Sequence, residues 1–190
     1  MFGGAFDPPH RAHVALARTA VQQLGLDRLY ILPTGNAWHK TRTLSPADDR
    51  LAMARLAFAP VPAVQVDERE LRRTGPTYSV DTLRELQAEH PGARLHLLMG
   101  EDQAAGFTRW HAWQEIAALA VLCVAGRGAG EGIAELRALP GVRVEVLQLP
   151  QMPESATDIR ARLTSGQDIG DLVGPAVAGY IESHHLYQNT

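Results

Sequence analysis

Two short segments near opposite ends of the chain hold the residues best suited to chemistry. The first is Gly3-Gly4-Ala5-Phe6-Asp7-Pro8-Pro9-His10-Arg11-Ala12-His13. Its paired glycines let the backbone turn tightly and approach a ligand. Its prolines set φ just ahead of a helix, where a missing N–H costs little. The helix start then offers unbonded N–H groups and a positive dipole end to an anion. His10 and His13 lie three apart and share one helix face. Imidazoles placed there can donate hydrogen bonds to phosphoryl oxygens. The segment is neither a Walker A loop nor a Gly-x-Gly-x-x-Gly dinucleotide fingerprint. A solvated helix end and a metal site stay open as other readings of the His pair, though helical zinc sites more often use His at i and i+4 with a third ligand.

The second segment is Glu154-Ser155-Ala156-Thr157-Asp158-Ile159-Arg160. Hydroxyls at a helix start, with an Arg one turn inward, make another phosphate cradle. Ser155 with Asp158 also fits plain helix capping, which does not require Arg160. No activated Ser or Cys is evident. The chemistry on offer is therefore the positioning and neutralising of anions.

Such groups need a frame that brings them together. Short apolar runs at Leu29–Leu32, Val64–Val66, Leu95–Met99, Val121–Ala125 and Val142–Leu147 read as buried parallel strands. Helical patterns lie between them at Arg11–Leu24, Ala47–Ala59, Ser79–His90, Trp113–Leu119 and Ile133–Leu139. Thr157–Leu163 and Pro175–His184 follow, and Gly25 fits a helix C-cap. Strand and helix in alternation predict an α/β fold, a Rossmann-like doubly wound parallel sheet with ligands at the carboxyl ends of its strands. One domain over residues 1–190 is expected, with a small C-terminal helical region from about 155 to 190. Met1 and Phe2 run straight into Gly3-Gly4. The first strand should thus be very short, or the chain start truncated or misassigned.

Bulk properties narrow the class. The chain has 190 residues, 45% hydrophobic and 21% charged, which suits a globular domain. Its 18 Lys and Arg against 21 Asp and Glu give a net charge of -3, unlike a strongly basic nucleic-acid binder. Cys123 is the one cysteine, so no internal disulfide forms and a cytoplasmic setting is the default. No apolar run approaches the roughly 20 residues that cross a bilayer, and no signal peptide opens the chain.

The two motifs together, Gly-Gly-x-Phe-Asp-Pro-x-His-x-x-His and Ser-x-Thr-x-x-Arg, resemble those of the nucleotidylyltransferase superfamily with an HxGH-type signature. Asp67–Arg73, Pro76–Leu83, Met99–Asp102 and Phe107–Trp110 are similar to the bacterial nicotinate-nucleotide adenylyltransferase branch. The resemblance runs to about Tyr187. It implies adenylyl transfer from ATP to nicotinate mononucleotide, giving deamido-NAD and pyrophosphate by direct attack of the acceptor phosphate on the α-phosphorus. Mg²⁺ carried by the ATP phosphates is the implied cofactor. The implied partners are these two substrates, with no nucleic acid, no membrane, and a homo-oligomer left open.

Carried over by position, catalysis falls to His10 and His13. ATP falls to Gly3, Gly4, Ala5, Phe6, His10, His13, Gly100, Asp102, Ser155, Thr157 and Arg160. Nicotinate mononucleotide falls to His39, Lys40, Ser79, Trp110, His111 and Arg127. Other readings exist: Asp102 as a helix N-cap, Trp110 as core, Lys40 as solvated surface. Asp67-Glu68-Arg69-Glu70 reads as surface ion pairing. Four departures stand out, one of them His111 in place of an aromatic. Ala5 replaces a hydroxyl residue, Ala12 replaces Gly, and the Thr34–His39 loop carries Trp38 where the family has Asn and a double Pro. Transfer to nicotinamide mononucleotide or phosphopantetheine, and nucleotide binding without turnover, are the competing functions.

Overall fold

Strands that read as unbroken Val, Leu and Ile must be covered on both faces, and parallel pairing joined by helices does this. In the computed structural model, residues 1–35, 43–126, 130–150 and 152–188 are described. The elements run β1 (Phe2–Gly4), α1 (Arg11–Leu24), β2 (Leu29–Pro33), α2 (Ala47–Phe58), β3 (Val64–Val66), α3 (Arg69–Arg72), α4 (Ser79–Glu89) and β4 (Leu95–Gly100). They continue with α5 (Glu101–Ala105), a 3-10 turn (Phe107–Arg109), α6 (Trp113–Leu119), β5 (Ala120–Gly126), α7 (Glu131–Ala138), β6 (Val144–Gln148), α8 (Ala156–Thr164), α9 (Gly170–Val173) and α10 (Pro175–Ser183).

Among the described residues six strands form one sheet in the order β3-β2-β1-β4-β5-β6. Every pairing is parallel. The order turns back between β1 and β4, where Phe2 pairs with Ile31 on one side and Leu98 on the other. A crevice opens beyond the carboxyl ends of strands at such a reversal. Here those ends are Gly4 and Gly100. The first strand is three residues long and central.

Alternate side chains divide between two cores. Ile31 and Leu98 join Leu16, Ala20, Met53 and Phe58 on one face. Ile159, Val177 and Ile181 belong to the same core, so the C-terminal helices pack on the sheet itself. Leu32, Leu97 and Met99 join Leu83, Ile116 and Leu136 on the other face. α1 ends as expected at Gly25, whose left-handed φ of 60° suits a residue without a Cβ. β6 begins two residues late, because the turn at Gly141 (φ 76°) holds the Val142 N–H on Leu139 O.

Candidate active site

The segment from Gly3 to His13 turns around Phe6. That ring is 1% exposed and packs edge-on against Phe2, His13 and Phe58. It also lies on Gly4, where a Cβ would fall 3.1 Å from it. Gly4 is thus favoured by a close approach rather than by φ. Arg50, 2% exposed on α2, donates from Nη1 to Ala5 O at 3.0 Å and Thr34 O at 2.8 Å. One guanidinium therefore braces the ends of β1 and β2.

His10 is the N-cap of α1 and is 6% exposed. Its N–H donates to His13 Nδ1 at 3.2 Å, and the two rings lie 3.7 Å apart. An accepting Nδ1 puts the proton of neutral His13 on Nε2, which becomes the donor. Burial pushes the His10 pKa down to about 4, partly offset by the Glu154 carboxylate. His10 is therefore neutral at physiological pH.

At the other end, Ser155 caps α8. Its Oγ accepts the Asp158 N–H at 3.1 Å and donates to Asp158 Oδ2 at 2.7 Å. Arg160 reaches across to the first segment. Its Nη1 donates to Asp7 O at 2.7 Å, and Nη2 to Thr157 Oγ1 at 3.2 Å. The capping reading is correct, and the cap aims Arg160 at the glycine turn.

Two cavities meet here. The larger, about 1170 Å³, is lined by Gly3, Gly4, Ala5, Phe6, His10, His13, Gly100, Asp102, Ser155, Thr157 and Arg160, every residue expected to hold ATP. The smaller, about 470 Å³, takes in Ser79, Trp110 and His111. Gly3, Gly4, Ala5, Asp102 and Gln103 line both and form a common wall. His39, Lys40, Arg127 and Trp38 lie outside the described residues.

α4 starts at Ser79 as expected, with Tyr78 at its N-cap stacking on His111 at 4.2 Å. Several details differ from expectation. Asp102 lies within α5 after the N-cap Gly100, so it is not the cap and lies on the wall shared by the cavities. Trp110, read alternatively as core, is half-buried, as is Trp113. Asp67, Glu68 and Arg69 do pair near the surface. Glu70 does not. It is 3% exposed, accepts the Thr82 hydroxyl at 2.8 Å and lines the smaller cavity. Burial pushes its pKa up to about 7.

Among the described residues, three buried side-chain atoms have no hydrogen-bond partner: His10 Nδ1, Thr77 Oγ1 and Glu154 Oε2. All three residues line one of these cavities. Unsatisfied buried polar groups are costly, and atoms such as these at a cavity wall can take their partner from the cavity. His96, Cys123 and Glu145 also lie close enough to share a metal ion. Glu145 already pairs with Arg94 at 3.1 Å, and burial pushes the Cys123 thiol up to about 12. That set is closed by its own contacts.

Facing imidazoles and an arginine-bearing helix start around a cavity at a sheet reversal define a nucleotidyltransferase, and residues 1–162 match the cytidylyltransferase-like family model. The chain is 54% identical to a probable nicotinate-nucleotide adenylyltransferase of Albidiferax ferrireducens, covering 99% of this chain and 96% of that one. It is 42% identical to a namesake of Methylibium petroleiphilum, covering 98% and 91%. The chain belongs to the nicotinate-nucleotide adenylyltransferase family. Its fold matches a nicotinic acid mononucleotide adenylyltransferase of Plasmodium falciparum, complexed with APC, at a TM-score of 0.79 and 17% identity, covering 100% of this chain and 96% of that one.

Proposed function

We propose that the chain transfers the adenylyl group of ATP to nicotinate mononucleotide, releasing pyrophosphate and deamido-NAD in NAD biosynthesis. Family membership supports the reaction. The carrying observation is the pair of cavities with a common wall at Gly3–Ala5, Asp102 and Gln103. ATP occupies the larger and the mononucleotide the smaller, so their phosphates meet at the glycine turn.

The acceptor phosphate attacks the α-phosphorus in line, and pyrophosphate leaves. Holding both reactants in this geometry supplies much of the acceleration. His13 Nε2 donates to the transferred group as charge builds, and the α1 N-terminus adds its dipole. The His10 backbone N–H holds His13 in its tautomer. Ser155, Thr157 and Arg160 grip the triphosphate from the opposite side, and Asp102 accepts ribose hydroxyls. Trp110 offers a flat face to the pyridine, while Ser79 at the α4 start and the main chain of His111 face its carboxylate.

The unpartnered Glu154 Oε2 in the larger cavity is a hard oxygen donor, suited to Mg²⁺ on the nucleotide phosphates or to one of its waters. When bound, Mg²⁺ supplies charge neutralisation on the phosphates. His39, Lys40 and Arg127 are proposed as further contacts of the mononucleotide. A cytoplasmic location is part of the proposal, in line with a buried free cysteine. No helix among the described residues is long and apolar enough to cross a membrane.

Pyrophosphate release with ATP and Mg²⁺ tests the reading, comparing nicotinate mononucleotide, nicotinamide mononucleotide and phosphopantetheine. Turnover should be fastest with the nicotinate acceptor. A preference for phosphopantetheine, or no turnover from folded protein, overturns it.

A further inference from the structure

We propose that Arg109 is the residue that selects an acidic pyridine mononucleotide over its carboxamide counterpart. The inference rests on the acceptor assignment above and adds the group that reads the ring substituent.

The smaller cavity must distinguish two ligands of nearly the same shape. Packing separates such isosteres poorly, and an unpaired charge separates them well. Arg109 is the only Arg or Lys among the described residues lining that cavity. It makes no side-chain hydrogen bond or ion pair among those residues. The arginines on and just after the neighbouring helices are engaged: Arg69 with Glu89, Arg72 with Glu68, Arg73 with Glu85, Arg84 with Glu115.

The Arg109 side chain also has a defined seat. A Cβ at Gly106 would fall 2.7 Å from Arg109 Nη2 and 3.4 Å from its Cζ. The end of the Arg109 side chain therefore occupies the space that a side chain at Gly106 would claim. The Arg109 N–H, bonded to Gly106 O at 3.0 Å, closes the same turn.

Location assigns the ligand group. Arg109 lines the smaller cavity with Ser79, Trp110 and His111, and takes no part in the wall shared with the larger one. The reacting phosphate has to lie at that wall. Arg109 thus serves the far end of the acceptor, where the ring substituent lies. A guanidinium forks onto a carboxylate through two N–H groups, whereas a carboxamide carries no charge to meet it. The buried acid of this cavity, Glu70, is held partly protonated by burial, which limits repulsion of an incoming carboxylate.

The test measures kcat/KM for nicotinate and nicotinamide mononucleotides in the full chain, Arg109→Met and Gly106→Ala. Arg109→Met keeps an apolar stem on the turn and should lower the acid-to-amide ratio by roughly 10- to 100-fold, the scale of a charge-assisted hydrogen bond. The loss should lie in KM for the acid, with KM for ATP unchanged. Gly106→Ala leaves Arg109 in the chain but displaces it, and should lower the ratio in the same direction. Arg109→Lys should recover part of the preference. An unchanged ratio in Arg109→Met, or equal losses for both acceptors, overturns the proposal. Those results leave the wild-type reaction standing, whereas a wild type inactive with either acceptor fails the functional reading itself.

Discussion

Two residues with opposite electrostatics frame what this site can do. His13 presents Nε2–H because the His10 N–H occupies Nδ1. Replacing His13 by Ala should lower kcat by about 10²–10³, the usual cost of one transition-state donor. KM for ATP should move far less, and steady-state pyrophosphate release measures both. Glu70 makes a different prediction. The folded protein holds its proton up to about pH 7, the unfolded chain only to about 4.5. Between those values the folded state binds more protons, so stability falls as pH rises, by about 3 kcal/mol at most. His10 acts the other way: its folded pKa of about 4 lies below the ordinary 6.5, so stability falls as pH drops through that window. Glu70→Gln keeps an acceptor for Thr82 and removes the proton linkage. Its Tm should rise relative to wild type as pH goes from 5 to 8. A constant difference in Tm across that range sinks the argument.

At the scale of elements, the Ser155 cap links local stability to substrate grip. Ser155→Ala removes the acceptor for the Asp158 N–H and should cost about 1 kcal/mol. The loosened α8 start should also raise KM for ATP, because Thr157 and Arg160 ride on it. Thermal melts and a nucleotide titration check the two effects separately. The strands and longer helices were legible because each buries a face, and burial leaves apolar periodicity in the residues. α3, α5 and α9 were not, since four or five residues complete barely one turn and show no period. Arg50, Glu70 and Tyr187 were missed for a related reason. A charged or hydroxylated side chain on a helix or tail has the same spacing whether it meets water or the back of a site. Glu70 carried the only hint, standing in a matched segment where surface pairing accounts for its neighbours.

Over the whole molecule, the two ends of the chain are tied together at the larger cavity. Tyr187 OH donates to Asp7 Oδ1 at 2.6 Å, and the Ser45 N–H donates to Asp7 Oδ2 at 3.2 Å. Asp7 is 2% exposed, and its carbonyl takes Arg160. Tyr187→Phe leaves a buried carboxylate short of one donor, at a cost of about 1–3 kcal/mol. Tm should fall and KM for ATP should rise, with KM for the mononucleotide unchanged. A fall in Tm with no change in either KM would make the contact purely structural.

The wall common to both cavities has a consequence for inhibition. Neither chamber alone separates this enzyme from the many proteins that bind adenine nucleotides or pyridine nucleotides. A single molecule spanning the shared wall at Gly3–Ala5, with an adenosine head and an acidic aromatic tail, would engage both at once. Its second contact would be intramolecular, at an effective concentration of about millimolar for a short tether. The tether length would become the selectivity filter, because few adenine-nucleotide sites share a glycine-bearing wall with a second, aromatic chamber.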